Sequence, residues 1–174
     1  MLSYDGKGPM RQILLTALLA LGLSALQGCQ VRPLYSSQTG TQAYLASVGI
    51  KPADDRVEQE LRNRLIFLYS GGQGEPASPE YTLDMTFTGT PSRALREELT
   101  DGITAQRYSA TVIYTLRDNK TKEVIGSGKR TVVTFYDQTT QEFANRRALR
   151  DAENRAAQQL AEIIRADTAS ILTR

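Results

Sequence analysis

Histidine and tryptophan are absent from the 174 residues, and cysteine occurs once. Without histidine there is no Ser-His-Asp or Cys-His catalysis, no imidazole general base and no imidazole metal ligand. One thiol permits neither an internal disulfide nor a thiolate metal cluster, so it is either incidental or reserved for one covalent task. A surplus of one charge sign is also missing. The 21 Lys and Arg residues against 19 Asp and Glu give a net charge of +2, too even a balance for an electrostatic footprint on nucleic acid. What is present, 40% apolar and 23% charged residues, is the composition of a globular chain, and the length suits one domain of about 100–150 residues with an extra segment.

The extra segment is at the front. Ile13 to Leu26 is a run of fourteen residues drawn from Ile, Leu, Ala, Thr, Gly and Ser, preceded by Lys7 and Arg11. It falls short of the roughly 20 residues a bilayer-spanning helix needs and matches the basic and apolar regions of an export signal. Leu26-Gln27-Gly28-Cys29 follows at once, with an apolar residue three positions before the cysteine and a small residue directly before it. This is the pattern of a bacterial lipobox: the thiol takes a diacylglyceryl thioether, and the small residue lets the signal peptidase reach the bond. Cys29 is predicted to be the lipidated mature N-terminus after removal of residues 1–28. Each buried CH₂ contributes about 0.8 kcal/mol, so two or three acyl chains anchor the protein without spanning the bilayer. Gln30 rather than Asp follows the cysteine, which by the enteric sorting rule directs the protein to the outer membrane, on its periplasmic side. An uncleaved anchor helix with a coincidental cysteine is the competing reading, and Met10-Arg11-Gln12 offers a second start beside Met1.

Loss of residues 1–28 leaves 19 basic and 18 acidic residues, almost no net charge. Residues 29–41, with Pro33, Ser36, Ser37 and Gly40, read as a tether, and 42–174 as a single domain. Tyr44 to Ile50 is expected to be a first strand, ended by Lys51-Pro52. A helix capped by Asp54 or Asp55 carries Val57, Leu61, Leu65 and Leu68 on one face. The Gly- and Pro-rich stretch from Ser70 to Glu80 stops it. Tyr81, Leu83, Met85 and Phe87 alternate with Thr82, Asp84, Thr86 and Thr88 in a strand with one buried face. A polar loop is expected from Gly89 to Gly102, then strands carrying Tyr108 to Leu116 and Val124 to about Phe135, joined by a turn at Asp118-Asn119-Lys120-Thr121. Thr140 to Ile171 lacks Pro and Gly and stripes Ala144, Ala148, Ala152, Ala156, Leu160, Ile163 and Ile164 along a helix about 45 Å long, whose end is expected to project or fray. The fold class that results is α+β in the order βαβββα. It has a four-stranded, mostly antiparallel sheet with two helices packed on one face and the other face open to a partner.

No motif in the chain supplies recognisable chemistry. Gly126-Ser127-Gly128-Lys129 has Glu123 where a phosphate-binding loop needs Gly and Arg130 where it needs Ser or Thr. Gly71-Gly72-Gln73-Gly74 lacks dinucleotide-site spacing and follows a helix rather than a strand. No Ser-x-x-Lys pair occurs, so no enzymatic activity and no cofactor or metal are expected. Basic residues remain. Arg93, Arg96, Arg107, Lys129 and Arg130 fall in or near the inferred strands, where convergence at one sheet edge would offer donors to the phosphate or carboxylate groups of an anionic lipid. Ordinary solvated charges are the alternative. Arg146, Arg147, Arg150 and Arg155 interleave with Glu142, Asp151, Glu153 and Glu162 on the last helix, which i,i+4 pairing explains.

Two stretches carry a family resemblance: Gly28-Cys29-Gln30-Val31-Arg32-Pro33-Leu34-Tyr35, and Phe143-Ala144-Asn145 leading to Arg150-Asp151-Ala152-Glu153-Asn154-Arg155-Ala156-Ala157. With the order of elements, they make the chain resemble the LPS-assembly lipoprotein family LptE in its alphaproteobacterial form. The resemblance implies an outer-membrane lipoprotein that sits inside the LptD β-barrel, assists its assembly and helps deliver lipopolysaccharide to the cell surface. It also implies lipopolysaccharide binding through basic residues near the second and third strands and the start of the last helix, for which Arg93, Arg96, Arg107, Lys129 and Arg130 are the candidates here. A polar, nearly neutral exterior suits the polar lumen of a large barrel. Two other readings share parts of the pattern: an auxiliary lipoprotein of a phospholipid ABC transport system, and a periplasmic enzyme using carboxylates such as Asp84 or Glu97.

Overall fold

Residues 40–94 and 104–173 are described by the computed structural model. Gly40, at φ +66°, turns the chain into a short helix, α1 (Thr41–Ala46), whose buried residues Thr41 and Leu45 are four apart and so share a face. The strand expected over Tyr44–Ile50 shrinks to β1 (Val48–Ile50). The apolar run there is too short for its periodicity to separate helix from strand, and α1 takes its first half. Thr41, assigned to the tether, is already inside the domain.

Helix α2 (Arg56–Ser70) begins as the sequence predicts. The Asp55 carboxylate accepts the Glu58 N–H at 2.8 Å, and the Glu58 carboxylate accepts the Asp54 N–H at 3.1 Å, so two otherwise orphaned donors are satisfied reciprocally. Burial raises the Glu58 pKa above the ordinary carboxylate value, and the Asp54 N–H partly offsets it. Val57, Leu61, Leu65 and Leu68 are all buried, and Gly71 at φ +64° ends the helix.

The sheet runs β1-β2-β3-β4, with β2 (Tyr81–Arg93), β3 (Thr104–Asp118) and β4 (Val124–Gln138). β1 is parallel to β2 and the other two pairings are antiparallel. The sheet is therefore mixed, which corrects the mostly antiparallel expectation: α2 carries the chain from β1 back to the same end of the sheet, as a parallel pair requires. Residues 89–93, expected in a loop, extend β2, because Thr90 and Ser92 still find partners in Ser109 and Arg107. The turn at Asp118 forms as expected, its carboxylate accepting the N–H groups of Lys120 and Thr121 at 2.7 and 3.0 Å.

The last helix, α3 (Glu142–Leu172), is the second of the two expected helices, and the short α1 adds a third among the described residues. Its 31 residues span about 46 Å. Ala152, Ala156, Ala157, Leu160, Ala161 and Ile164 are buried against α2 and the sheet, and Tyr69 joins Thr168 through a buried hydroxyl–hydroxyl bond of 2.8 Å. The end expected to fray is the packed one: Thr168 and Ala169 are buried and Ile171 lies against Gly126. The first turns stand clear instead, with Ala144 exposed and Phe143 83% exposed. Arg146 pairs with Glu142 and Arg155 with Asp151 along the helix, whereas Glu153 and Glu162 reach Arg56 and Arg64 of α2.

Candidate functional site

The helices cover one face of the sheet, where Leu83, Tyr108, Ala110, Val112, Tyr114, Leu116 and Val132 are buried. Strand alternation sends the intervening residues to the other face. Across β2, β3 and β4 that face reads Ser92–Arg107–Phe135, Thr90–Ser109–Val133, Thr88–Thr111–Thr131, Thr86–Ile113–Lys129 and Asp84–Thr115–Ser127. It is a field of hydroxyls, tied across β3 and β4 by a Thr111–Thr131 bond of 2.9 Å. Three large apolar side chains interrupt it: Ile113, Val133 and Phe135 are 54%, 42% and 61% exposed. None of the three was identified in the sequence: Ile113 falls in the otherwise polar phase of β3, and β4 places apolar residues in both phases, as Val132-Val133 shows.

The five candidate basic residues do not form one cluster. Arg107 and Lys129 share the open face, but their rows are six residues apart along β3, roughly 20 Å. Arg107 reaches only Ser92 Oγ, at 3.3 Å, and neither it nor Lys129 has an ion-pair partner among the described residues. Arg93, opposite Gln106 at the end of β2, and Arg130, opposite Val112, have the register of the helix-covered face. Arg130 spends its charge internally, with Nε and Nη2 on the two Asp167 oxygens at 2.8 and 2.9 Å. Arg96 and Glu97 lie outside the described residues, as does Cys29. Asp84 pairs with Lys51 rather than with a second carboxylate.

Beneath the open face, Arg130 and Asp167 join Tyr114, whose hydroxyl donates to Asp167 Oδ2 at 2.7 Å. Burial, reinforced by the Asp167 carboxylate, pushes the Tyr114 hydroxyl up to about 12, and the bond to Asp167 raises the Arg130 pKa. Burial likewise pushes Tyr108 up to about 12. Gly128 makes room for this network: a Cβ there would lie 2.5 Å from the Tyr114 oxygen. Both tyrosines remain protonated at neutral pH, Tyr114 as a donor to Asp167 and Tyr108 as a buried packing group.

No curated protein sequence matches the chain. Among solved structures, the chain is similar to a Caulobacter crescentus protein assigned as a lipoprotein, with 24% identity and a TM-score of 0.62, covering 75% of this chain and 93% of that one. Rare lipoprotein B from Shewanella oneidensis matches at 16% identity and a TM-score of 0.53, over 71% and 92% of the two chains. A minor lipoprotein from Acinetobacter baumannii matches at 17% and 0.50, over 71% and 90%. At these identities the likeness establishes a shared fold. The family model for LptE, lipopolysaccharide assembly, matches residues 42–168, from within α1 to near the end of α3. That span holds the whole sheet and most of its helical cover, and the chain belongs to the LptE lipopolysaccharide-assembly family, a family of non-enzymatic envelope lipoproteins.

Proposed function

We propose that this protein is an outer-membrane lipoprotein, anchored on the periplasmic side through acylated Cys29, that plugs an LptD-type β-barrel, assists its assembly and helps insert lipopolysaccharide at the cell surface. The family match over residues 42–168 carries this reading, since the family acts with LptD and lipopolysaccharide. The geometry supports it in two ways. The open face presents hydroxyls with few charges, which suits the polar lumen of a large barrel. Arg107 and Lys129, free of acidic partners among the described residues, are the donors on that face available to lipid phosphates; Arg93 has the register of the covered face and Arg130 is engaged by Asp167, so these two are weaker candidates, and Arg96 remains a candidate from sequence alone.

Detergent extraction and pull-down through a C-terminal tag is expected to recover an outer-membrane barrel together with lipopolysaccharide, and Cys29→Ser is expected to release the protein from the membrane fraction. Recovery of no outer-membrane protein would refute the reading, and altered phospholipid asymmetry on depletion, with surface lipopolysaccharide intact, would favour a phospholipid transporter instead.

A further inference from the structure

β4 presents an edge as well as a face. In β3 the Asp118 N–H donates to the Glu123 carbonyl, and the Ala105 carbonyl accepts from Ala94 N–H. Even-numbered β3 residues therefore turn their backbone groups toward β4 and odd-numbered ones toward β2, as an antiparallel ladder requires. Through the pairs Tyr108 with Thr134, Ala110 with Val132 and Val112 with Arg130, the even residues of β4 complete that ladder. Lys129, Thr131, Val133 and Phe135 then aim their N–H and C=O groups away from the sheet. Two side chains agree with this: Arg155 donates to the Phe135 carbonyl at 2.8 Å and Arg130 to the Lys129 carbonyl at 3.2 Å. Between these two points the N–H and C=O groups of Thr131 and Val133 have no partner among the described residues.

We propose that this edge, residues 129–135 of β4, takes up an extended segment of a partner protein as a fifth strand. A second copy of the chain does not fit. α3 lies directly over β4, with Thr134 Oγ1 donating to the Ala152 carbonyl at 2.9 Å, and pairing two β4 edges would set two such helices over strands about 5 Å apart, where packed helices need 8–10 Å. The occupant is therefore a strand without a helix of its own on that side. Its chemistry follows from its neighbours: apolar against exposed Val133 and Phe135, and acidic opposite Lys129, whose charge has no acidic partner among the described residues.

The test uses the full-length protein in its own cells, with photoreactive p-benzoylphenylalanine in place of Phe135. Irradiation is expected to cross-link one segment of another protein with an acidic residue in it. Replacing Val133 by its α-hydroxy analogue, which exchanges the outward N–H for an ester oxygen and leaves the β3 ladder intact, is expected to cut the yield about tenfold. Thr131→Pro acts on the neighbouring donor in the same way, and Lys129→Glu is expected to cut the yield about fivefold where Lys129→Arg does not. A folded ester variant that cross-links as well as the parent, or cross-links confined to lipid or to a second copy of the chain, would overturn the proposal. If the captured strand comes from a protein that is not an outer-membrane barrel, the strand-addition proposal stands and the reading under Proposed function falls.

Discussion

The two ends of the sheet are finished in opposite ways. At β1 the outer edge is three residues long and closed by side chains: Glu75 accepts the Ile50 N–H at 2.6 Å, and Arg62 donates to the Ile50 carbonyl at 3.2 Å, to the Lys51 carbonyl at 3.0 Å and to Glu75 at 2.5 Å. Past Leu83, where β1 stops pairing, β2 carries Pro91 in an outward position and so exposes no N–H there. β4 at the other end runs fifteen residues without proline, with only two of its outward carbonyls occupied by arginine. Exposed strand edges are templates for association, and proteins ordinarily blunt them. The charged pair blunts the short edge of β1 and proline interrupts the edge of β2 beyond it, whereas neither device protects the run of β4 that holds Thr131 and Val133.

That contrast can be broken from either side. The largest effect is expected on the covered side of β4: Gly128→Ala drives a methyl group into the Tyr114 hydroxyl, disturbs the bonds to Asp167 and costs about 2–3 kcal/mol, read as a lower urea midpoint, while Ser127→Ala on the open side leaves it unchanged. Arg62→Ala at the closed edge strands the Ile50 carbonyl and unpairs Glu75, for about 2 kcal/mol in the same assay. Tyr108 and Tyr114 supply a pH signature. Each hydroxyl titrates higher folded, at about 12, than unfolded, near 10, so the native state holds its protons longer. Their contribution is intact below about pH 10 and is lost as pH rises through about 12, on the order of 1–2 kcal/mol each. Tyr114→Phe should flatten that alkaline decline in melting temperature. The smallest effect on stability, within about 0.5 kcal/mol, is expected from Arg107→Glu with Lys129→Glu on the open face, yet this pair is expected to weaken lipopolysaccharide binding measured with purified protein. Unchanged affinity would assign both residues to ordinary solvated charge.

The sequence was most legible where one periodicity dominates. The α2 stripe from Val57 to Leu68 is wholly buried, and the alternation of Tyr81 to Phe87 appears with Leu83 buried and Tyr81, Met85 and Phe87 half-buried against the core. Of the strand expected over Tyr44–Ile50, Val48–Ile50 is a strand and the first part was misread, because residues 41–50 divide between a helix of six and a strand of three, too few for either period to register. The parallel pairing of β1 depends on where α2 returns the chain, which no local pattern encodes. The basic residues illustrate the limit at the site. Sequence proximity to strands placed them near the sheet, but face and row are set by register. Register turns Arg130 inward to Asp167 and holds Arg107 and Lys129 apart. The hydroxyl field and the outward edge of β4 are likewise properties of pairing.

Ala152, Ala156 and Ala157 are buried together near the point where the Ala152 carbonyl accepts from the Thr134 hydroxyl. Side chains this small let the main chain of a helix come within bonding reach of a strand, so the seat of α3 on β4 is set by methyl groups. Enlarging Ala152 or Ala156 is expected to lift that seat and shift the overhang that carries Phe143.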